Sequence, residues 1–351
     1  MLKKIVLRIF GFFDMVKDFL FRWGIKILVL LFILMIAHNI YKMTEVSSRY
    51  TGQYKNLVKV YEEDQRFMNY YATGEGGKSV VILSNFGEPS PIIEYKALAE
   101  ELGTDCRVII LEYLGYGFGM SMRKVPRLNE NIAHEIITAL EASGNMGPYT
   151  FVAHGNSSVY AMYLQQHYPD YVSGIVTLDG VYPEELNEVY YQDKLFSYMS
   201  NINFTSIFEL TGYERILSYV SPQTFYIDKM KTFSGYGKEE FSVYRNRIGS
   251  QYLSRTMVRE ANKMYDNRKE MMDYVYPPSL PVLQILARTT VDEYQAAYDN
   301  KDSEYTLETL ANNLISNASI QKVEILECDH NIELSSPVQA ASKIKAFLTS
   351  Y

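Results

Sequence analysis

FVAHGNSSVYAMYLQQHYPDYVSGIVTLDG, residues 151–180, is the stretch on which the fold turns. The run Tyr149 to Ala153 is apolar on both parities, as in a strand covered on both faces. Four small or polar residues (His154, Gly155, Asn156, Ser157) then leave room for a sharp turn. From Ser157 to His167 the apolar spacing becomes helical, and Gly174 to Leu178 returns to a buried strand. Strand, tight turn, helix and strand in about thirty residues make a right-handed βαβ unit of a parallel sheet.

The same alternation extends in both directions. Upstream, residues 55–61 and 66–71 read as short strands joined by polar EEDQ, SVVIL (79–83) and RVIIL (107–111) as buried strands. Helices are expected around Ile92, Ile93, Leu98 and Leu102, and around Ile132, Ile136 and Leu140. Downstream, PVLQIL (281–286) and VEIL (323–326) are strands, and Ser336 with Pro337 starts a last helix whose apolar face is Val338, Ala341, Ile344 and Phe347. Between them, residues 181–276 are polar, Tyr-rich and helical in pattern, and PPSLP (277–281) closes the segment with a rigid, extended hinge. The expected organisation is therefore a doubly wound, mostly parallel sheet of residues 55–180 and 277–351, with residues 181–276 inserted as a helical cap.

The amino terminus carries a separate signal. ILVLLFILMIA (27–37) is uninterruptedly apolar, and residues 25–41 reach about the minimum bilayer span if Lys26 snorkels. Lys3, Lys4, Arg8, Lys17, Arg22 and Lys26 precede it against Asp14 and Asp18. That bias keeps residues 1–24 in the cytoplasm and sends the body across the membrane, with residues 42–54 as a linker. A cleaved signal peptide is the alternative, but no small-x-small cleavage site follows Met35.

Composition excludes other classes. A formal charge of −7 offers no field for nucleic acid. Cys106 and Cys328 are the two cysteines, expected as free thiols at opposite edges of the sheet, and no Cys/His cluster has zinc spacing. No metal and no cofactor are expected. Most of the 31 tyrosines are expected to be half-buried packing residues with a wet hydroxyl.

The turn at 153–157 resembles the nucleophile elbow of the α/β-hydrolase family, whose G-x-S-x-G pattern falls on Ala153, His154, Gly155, Asn156 and Ser157. SNFGEPSP (84–91) is similar to that family's oxyanion loop, LEYLGYGFG (111–119) to its D-x-x-G-x-G-x-S stretch, and CDHNIELSSP (328–337) to its histidine loop. With the amino-terminal anchor, these segments resemble bacterial membrane-anchored α/β hydrolases. The resemblance implies His330 as the base and the amides of Phe86 and Asn156 as oxyanion donors. For the acid it offers two positions. Thr290 stands at the usual carboxylate, Asp292 lies two residues on, and Asp179, after the preceding strand, is favoured over Asp292.

At the nucleophile position the sequence has Gly155, which has no side chain to form an acyl-enzyme. Glycine also relieves the positive φ that the elbow imposes. Ser157 and Ser158 read as N-cap and first-turn residues, with Ser157 the alternative nucleophile. Two functions follow as expectations. One is a pseudoenzyme that keeps a cleft for a small-molecule or peptide ligand. The other is an ester or amide hydrolase using Ser157 or a water activated by His330, with His-mediated lyase or proton-transfer chemistry a more distant option. In either case Gly155→Ser is expected to set a hydroxyl within reach of His330 and between the Phe86 and Asn156 amides. The sequence leaves the oligomeric state open.

Overall fold

The computed structural model describes residues 2–50, 52–62, 65–121, 125–187, 189–233, 235–298 and 306–351. The middle of the EEDQ joint, residues 63–64, lies outside them. Among the described residues, nine strands form one sheet: β1 (Leu57–Lys59), β2 (Arg66–Thr73), β3 (Ser79–Leu83), β4 (Arg107–Glu112), β5 (Met120–Ser121), β6 (Tyr149–His154), β7 (Val172–Leu178), β8 (Val282–Ala287) and β9 (Gln321–Leu326). Their order is β1-β2-β4-β3-β6-β7-β8-β9, with β5 beside β2. The pairings of β2 with β1, β4 and β5 are antiparallel, and the rest of the sheet is parallel.

The continuous apolar runs are explained by two cores, one on each face of the sheet. Val80, Ile82, Val108, Ile110, Val152, Val176 and Ile285 enter one. Their neighbours Val81, Leu83, Ile109, Leu111, Phe151, Ala153 and Ile175 enter the other. Alternate residues of one strand thus bury into opposite layers, and each fully buried Val, Leu or Ile contributes roughly 1.5–3 kcal/mol. The helical segments between β7 and β8 run from the 3-10 turn Pro183–Asn187 to the helix Met264–Glu270.

Several local expectations change. Residues 42–49, taken as linker, continue one helix from Leu2 to Arg49. Nothing in that stretch breaks a helix, and Val46 and Tyr50, one turn apart, are buried. Asn246 Nδ2, on the helix Lys238–Gln251, donates to Lys42 O at 2.6 Å. The helix expected over Ile92 to Leu102 is two, Pro91–Glu94 and Lys96–Leu102, divided at Tyr95. Ser336 is the N-cap residue of Pro337–Leu348 but its hydroxyl makes no cap bond, and Val338 is exposed while Ala340 takes the buried position. Cys106 and Cys328 are free.

Candidate active site

β6 ends at His154, and the helix Ser157–His167 begins three residues later, so the chain must reverse within Gly155 and Asn156. Gly155 does so at φ +50°, with its N–H donating to Leu178 O at 3.0 Å. The loop after β3 and the loop after β9 converge on this turn, because β3 is the neighbour of β6 and all these strands run parallel.

His330 stands in the loop after β9. Its Nδ1 lies 2.6 Å from Asp179 Oδ2. Asp179, immediately after β7, is 3% exposed and sits at φ +45°. Its Oδ1 accepts from Ala287 N at 2.9 Å, and its other oxygen accepts from Thr290 Oγ1. Thr290, at the position where the resemblance puts a carboxylate, thus supports the carboxylate that comes from the neighbouring strand β7. Asp292 is exposed on the helix Arg288–Tyr298.

The amides of Phe86 and Asn156 do point at one spot, but the spot is filled. Both donate to Asn85 Oδ1, at 2.7 and 3.0 Å, and Asn85 Nδ2 lies 3.1 Å from His330 Nε2. Two N–H donors facing one atom identify it as the oxygen, which leaves the Nδ2 end to donate to His330. His330 is then the neutral tautomer with its proton on Nδ1, toward Asp179. A Cβ added at Gly155 would lie 2.2 Å from Asn85 Oδ1 and 2.4 Å from its Cγ. The hydroxyl expected from Gly155→Ser, between the Phe86 and Asn156 amides, thus meets Asn85: glycine at 155 and asparagine at 85 fit each other, and a side chain at the elbow must displace the carboxamide.

Ser157 is 1% exposed, and its Oγ lies 2.5 Å from Ser84 O and 2.9 Å from Tyr113 Oη. The N-cap residue is Asn156, not Ser157, and its side chain makes no cap bond. Ser158 Oγ donates to Gly155 O at 2.8 Å and accepts from Val181 N at 3.1 Å. Both hydroxyls therefore tie the turn together.

Behind His330 lies a buried polar cluster. His154 Nε2 donates to His330 O at 3.0 Å, holding the histidine loop, and its Nδ1 lies 2.7 Å from Tyr95 Oη. Glu88 and Glu333 carboxylate oxygens stand 3.4 and 3.3 Å from the same nitrogen. Burial pushes Glu88 well above the usual carboxylate range and Glu333 up to about 7, and lowers His154. Among the described residues these three have donor atoms close enough to hold a metal, within 4.8 Å of one another. Tyr95 Oη, 2.8 Å from Glu88 Oε1, bonds two of them, while both carboxylate oxygens of Glu333 are buried without a hydrogen-bond partner.

Above the turn, the cap contributes Tyr198, edge-on to Phe86 with ring centres 6.1 Å apart. It also contributes Arg268, whose Nε and Nη2 both lie 3.4 Å from Asn156 Oδ1.

Solved structures share this arrangement of strands and helices. An esterase from Thermogutta terrifontis superimposes at a TM-score of 0.59 with 16% identity, covering 84% of this chain and 98% of that one. Bacillus megaterium epoxide hydrolase gives 0.57 and 16%, covering 84% of this chain and all (100%) of that one. The fold is that of the α/β hydrolases. No family model matches the chain. An uncharacterised Bacillus subtilis (strain 168) protein, YbdG, is 24% identical over 284 residues, 80% of this chain and 82% of that one.

Sequence reasoning reached His330, Asp179 and the loop that carries Phe86, but missed Asn85. A signal was present: an asparagine directly before the expected oxyanion donor, beside an elbow with no side chain. The roles of Glu88, Tyr95 and Glu333 left none, because burial and distance alone bring them together.

Proposed function

We propose that the chain is a membrane-anchored α/β-hydrolase-fold pseudoenzyme, in which Gly155 stands where the fold keeps its nucleophile and Asn85 fills the resulting space. The observation that carries this is the Asn85 carboxamide. It satisfies the two oxyanion donors and the base together, the three groups a hydrolase reserves for its substrate. Ser157, bonded to Ser84 O and Tyr113, is a packing residue in this reading and not a displaced nucleophile.

The binding role is argued from what stays open. The His330 side chain keeps 45% exposure, so a ligand approaching under the cap meets an imidazole and the Asn85 edge, with Tyr198 and Arg268 on the cap side. A small molecule or peptide with a polar group and an apolar body fits that mixture. The anchor is the helix segment Asp14–Val46, 33 residues long and apolar enough to cross a membrane. The Lys/Arg bias ahead of its apolar core supports an amino terminus in the cytoplasm and residues 46–351 outside.

Two experiments test the reading. Full-length protein in its membrane fraction, treated with a fluorophosphonate, is expected to remain unlabelled; labelling at Ser157 would overturn the pseudoenzyme assignment. Protease added to intact cells is expected to digest the body, and protection of the body with membrane attachment retained would reverse the topology.

A further inference from the structure

The helix Tyr213–Val220 in the cap is built inside out. Its buried side carries Glu214 (8% exposed), Arg215 (8%) and Ser218 (0%). Its outer side carries Tyr213 (49%), Ile216 (52%), Tyr219 (65%) and Val220 (78%), and Leu210 just before it is 55% exposed. A helix facing water shows the opposite pattern, with the apolar stripe inward. A contiguous apolar face of this kind marks a surface that something apolar covers.

The position of the face says what covers it. Asn39, near the end of the apolar span of the N-terminal helix, donates through Nδ2 to Glu209 O and Leu210 O, both at 3.3 Å. Gly212 packs so closely there that a Cβ would lie 2.6 Å from Asn39 Oδ1. The cap helix therefore starts beside Asn39, close to where the anchor leaves the bilayer, and the anchor itself exposes Leu30, Phe32, Ile33, Leu34 and Ile40. The flanking chemistry is interfacial. Tyr41 on the anchor is exposed, Lys42 follows it, and the Arg245 guanidinium lies 4.5 Å from the centre of the Tyr219 ring. Tyrosine rings with Arg and Lys at their edge are what a headgroup layer selects.

We infer that Leu210, Tyr213, Ile216, Tyr219 and Val220 lie in the lipid interface of the leaflet on the side of the body, so that the cap is a second, monotopic contact with the membrane. The inference rests on insertion of the N-terminal helix. It makes the body lean on the bilayer in one orientation instead of swinging on a stalk. The cap segment Val189–Thr205, which carries Tyr198 over Phe86, leads directly into this lipid-facing turn.

Single-tryptophan variants of the full-length chain test it. In a Trp23→Phe background, Ile216→Trp and Val220→Trp are separately reconstituted in phosphatidylglycerol/phosphatidylethanolamine vesicles and quenched with brominated lipid or aqueous iodide. Both positions are expected to lose about twofold in emission to brominated lipid and to resist iodide, as for a helix face buried roughly 5–10 Å into the headgroup boundary. Leu30→Trp in the same background reports the anchor. If Leu30→Trp is quenched by lipid while residues 216 and 220 are quenched by iodide, the inference fails and the anchor stands. If Leu30→Trp escapes lipid quenching, both fail. Residues 216 and 220 shielded from both quenchers would assign the face to a protein partner or a second copy, which also overturns the inference.

Discussion

The two sides of Asn85 contrast. On one side, His330 and Asp179 are held as a working pair would be: a 2.6 Å contact, a carboxylate 3% exposed, and two further donors from Ala287 and Thr290 fixing that carboxylate. On the other side Gly155 has no side chain, and in the reading proposed above the Asn85 carboxamide occupies the place of the reacting atom. The difference is one of structural cost. The dyad and the oxyanion amides hang from the ends of β3, β6, β7 and β9, so the sheet that builds the core also aims them. The nucleophile is a single side chain on a strained turn at φ +50°, and glycine there relieves of order 1 kcal/mol of strain. On the proposed reading, chemistry is lost at this point without touching the fold.

The sharpest way to break the contrast is to restore the missing side. Gly155→Ser alone is expected to stay unlabelled by a fluorophosphonate, because its Cβ meets the Asn85 carboxamide. Gly155→Ser combined with Asn85→Ala clears the space and frees both amides. That double variant is expected to label roughly 10³-fold or more above wild type, the scale on which triad members act. Adding His330→Ala should abolish the gain. A folded double variant that remains inert would show that His330, despite its geometry, is not aligned on the elbow.

The next test concerns Asn85 itself. Asn85→Ala leaves two main-chain N–H groups without their acceptor and is expected to cost about 1–3 kcal/mol in denaturant unfolding, less where water enters. It should also move the His330 titration. Burial opposes the imidazolium and the Asp179 carboxylate outweighs it, leaving His330 above its ordinary value, while the Asn85 Nδ2 donor works against a proton on Nε2. Removing the amide is therefore expected to raise the His330 pKa further, and Asn85→Asp to raise it more, by nuclear magnetic resonance of the ring. An unchanged titration in both would remove Asn85 from contact with the base.

A smaller effect distinguishes the buried cluster behind His330 from the His330–Asp179 pair in front. Burial raises Glu333 from 4.5 to about 7, so the folded state holds a proton that the unfolded chain gives up earlier. Stability from this group is complete below about pH 4.5 and is lost as pH rises toward and through 7, with a slope of up to about 1.4 kcal/mol per pH unit for one proton. Glu333→Gln is expected to flatten that part of the stability profile. A profile identical to wild type would show that Glu333 is ionised in the folded protein.

What was legible in the sequence follows the same division. The strands β3, β4, β6, β7 and β8 were readable because burial on both faces demands unbroken apolar runs, and the elbow was readable because a strand meets a helix through small residues. His330 and Asp179 were reachable because each stands in the loop after a strand, Asp179 directly after β7 and His330 four residues beyond β9. Asn85 left only a faint signal, an asparagine directly before the expected oxyanion donor, because what it does depends on the missing side chain seventy residues away and only coordinates show the two together. Glu88, His154 and Glu333 come from three separate segments with no spacing to read. The inverted helix Tyr213–Val220 was hidden for a different reason. Its pattern is amphipathic either way, and the sequence alone does not say which side faces the core.

The smallest effect separates two readings of the elbow serines. Were Ser157 a displaced nucleophile, its hydroxyl would need to reach His330 Nε2; it is instead engaged with Ser84 O and Tyr113 Oη, and Asn85 Nδ2 lies against the ring nitrogen. Ser157→Ala is thus expected to cost about 1 kcal/mol, the net worth of an ordinary buried hydrogen bond, and to leave the labelling of the Gly155→Ser/Asn85→Ala variant unchanged. Thermal unfolding and a labelling time course measure both. If Ser157→Ala lowered the labelling of that variant while leaving its stability intact, the hydroxyl would be acting on the reagent and not on the turn, and the side of the site described as filled would have to be read as partly open.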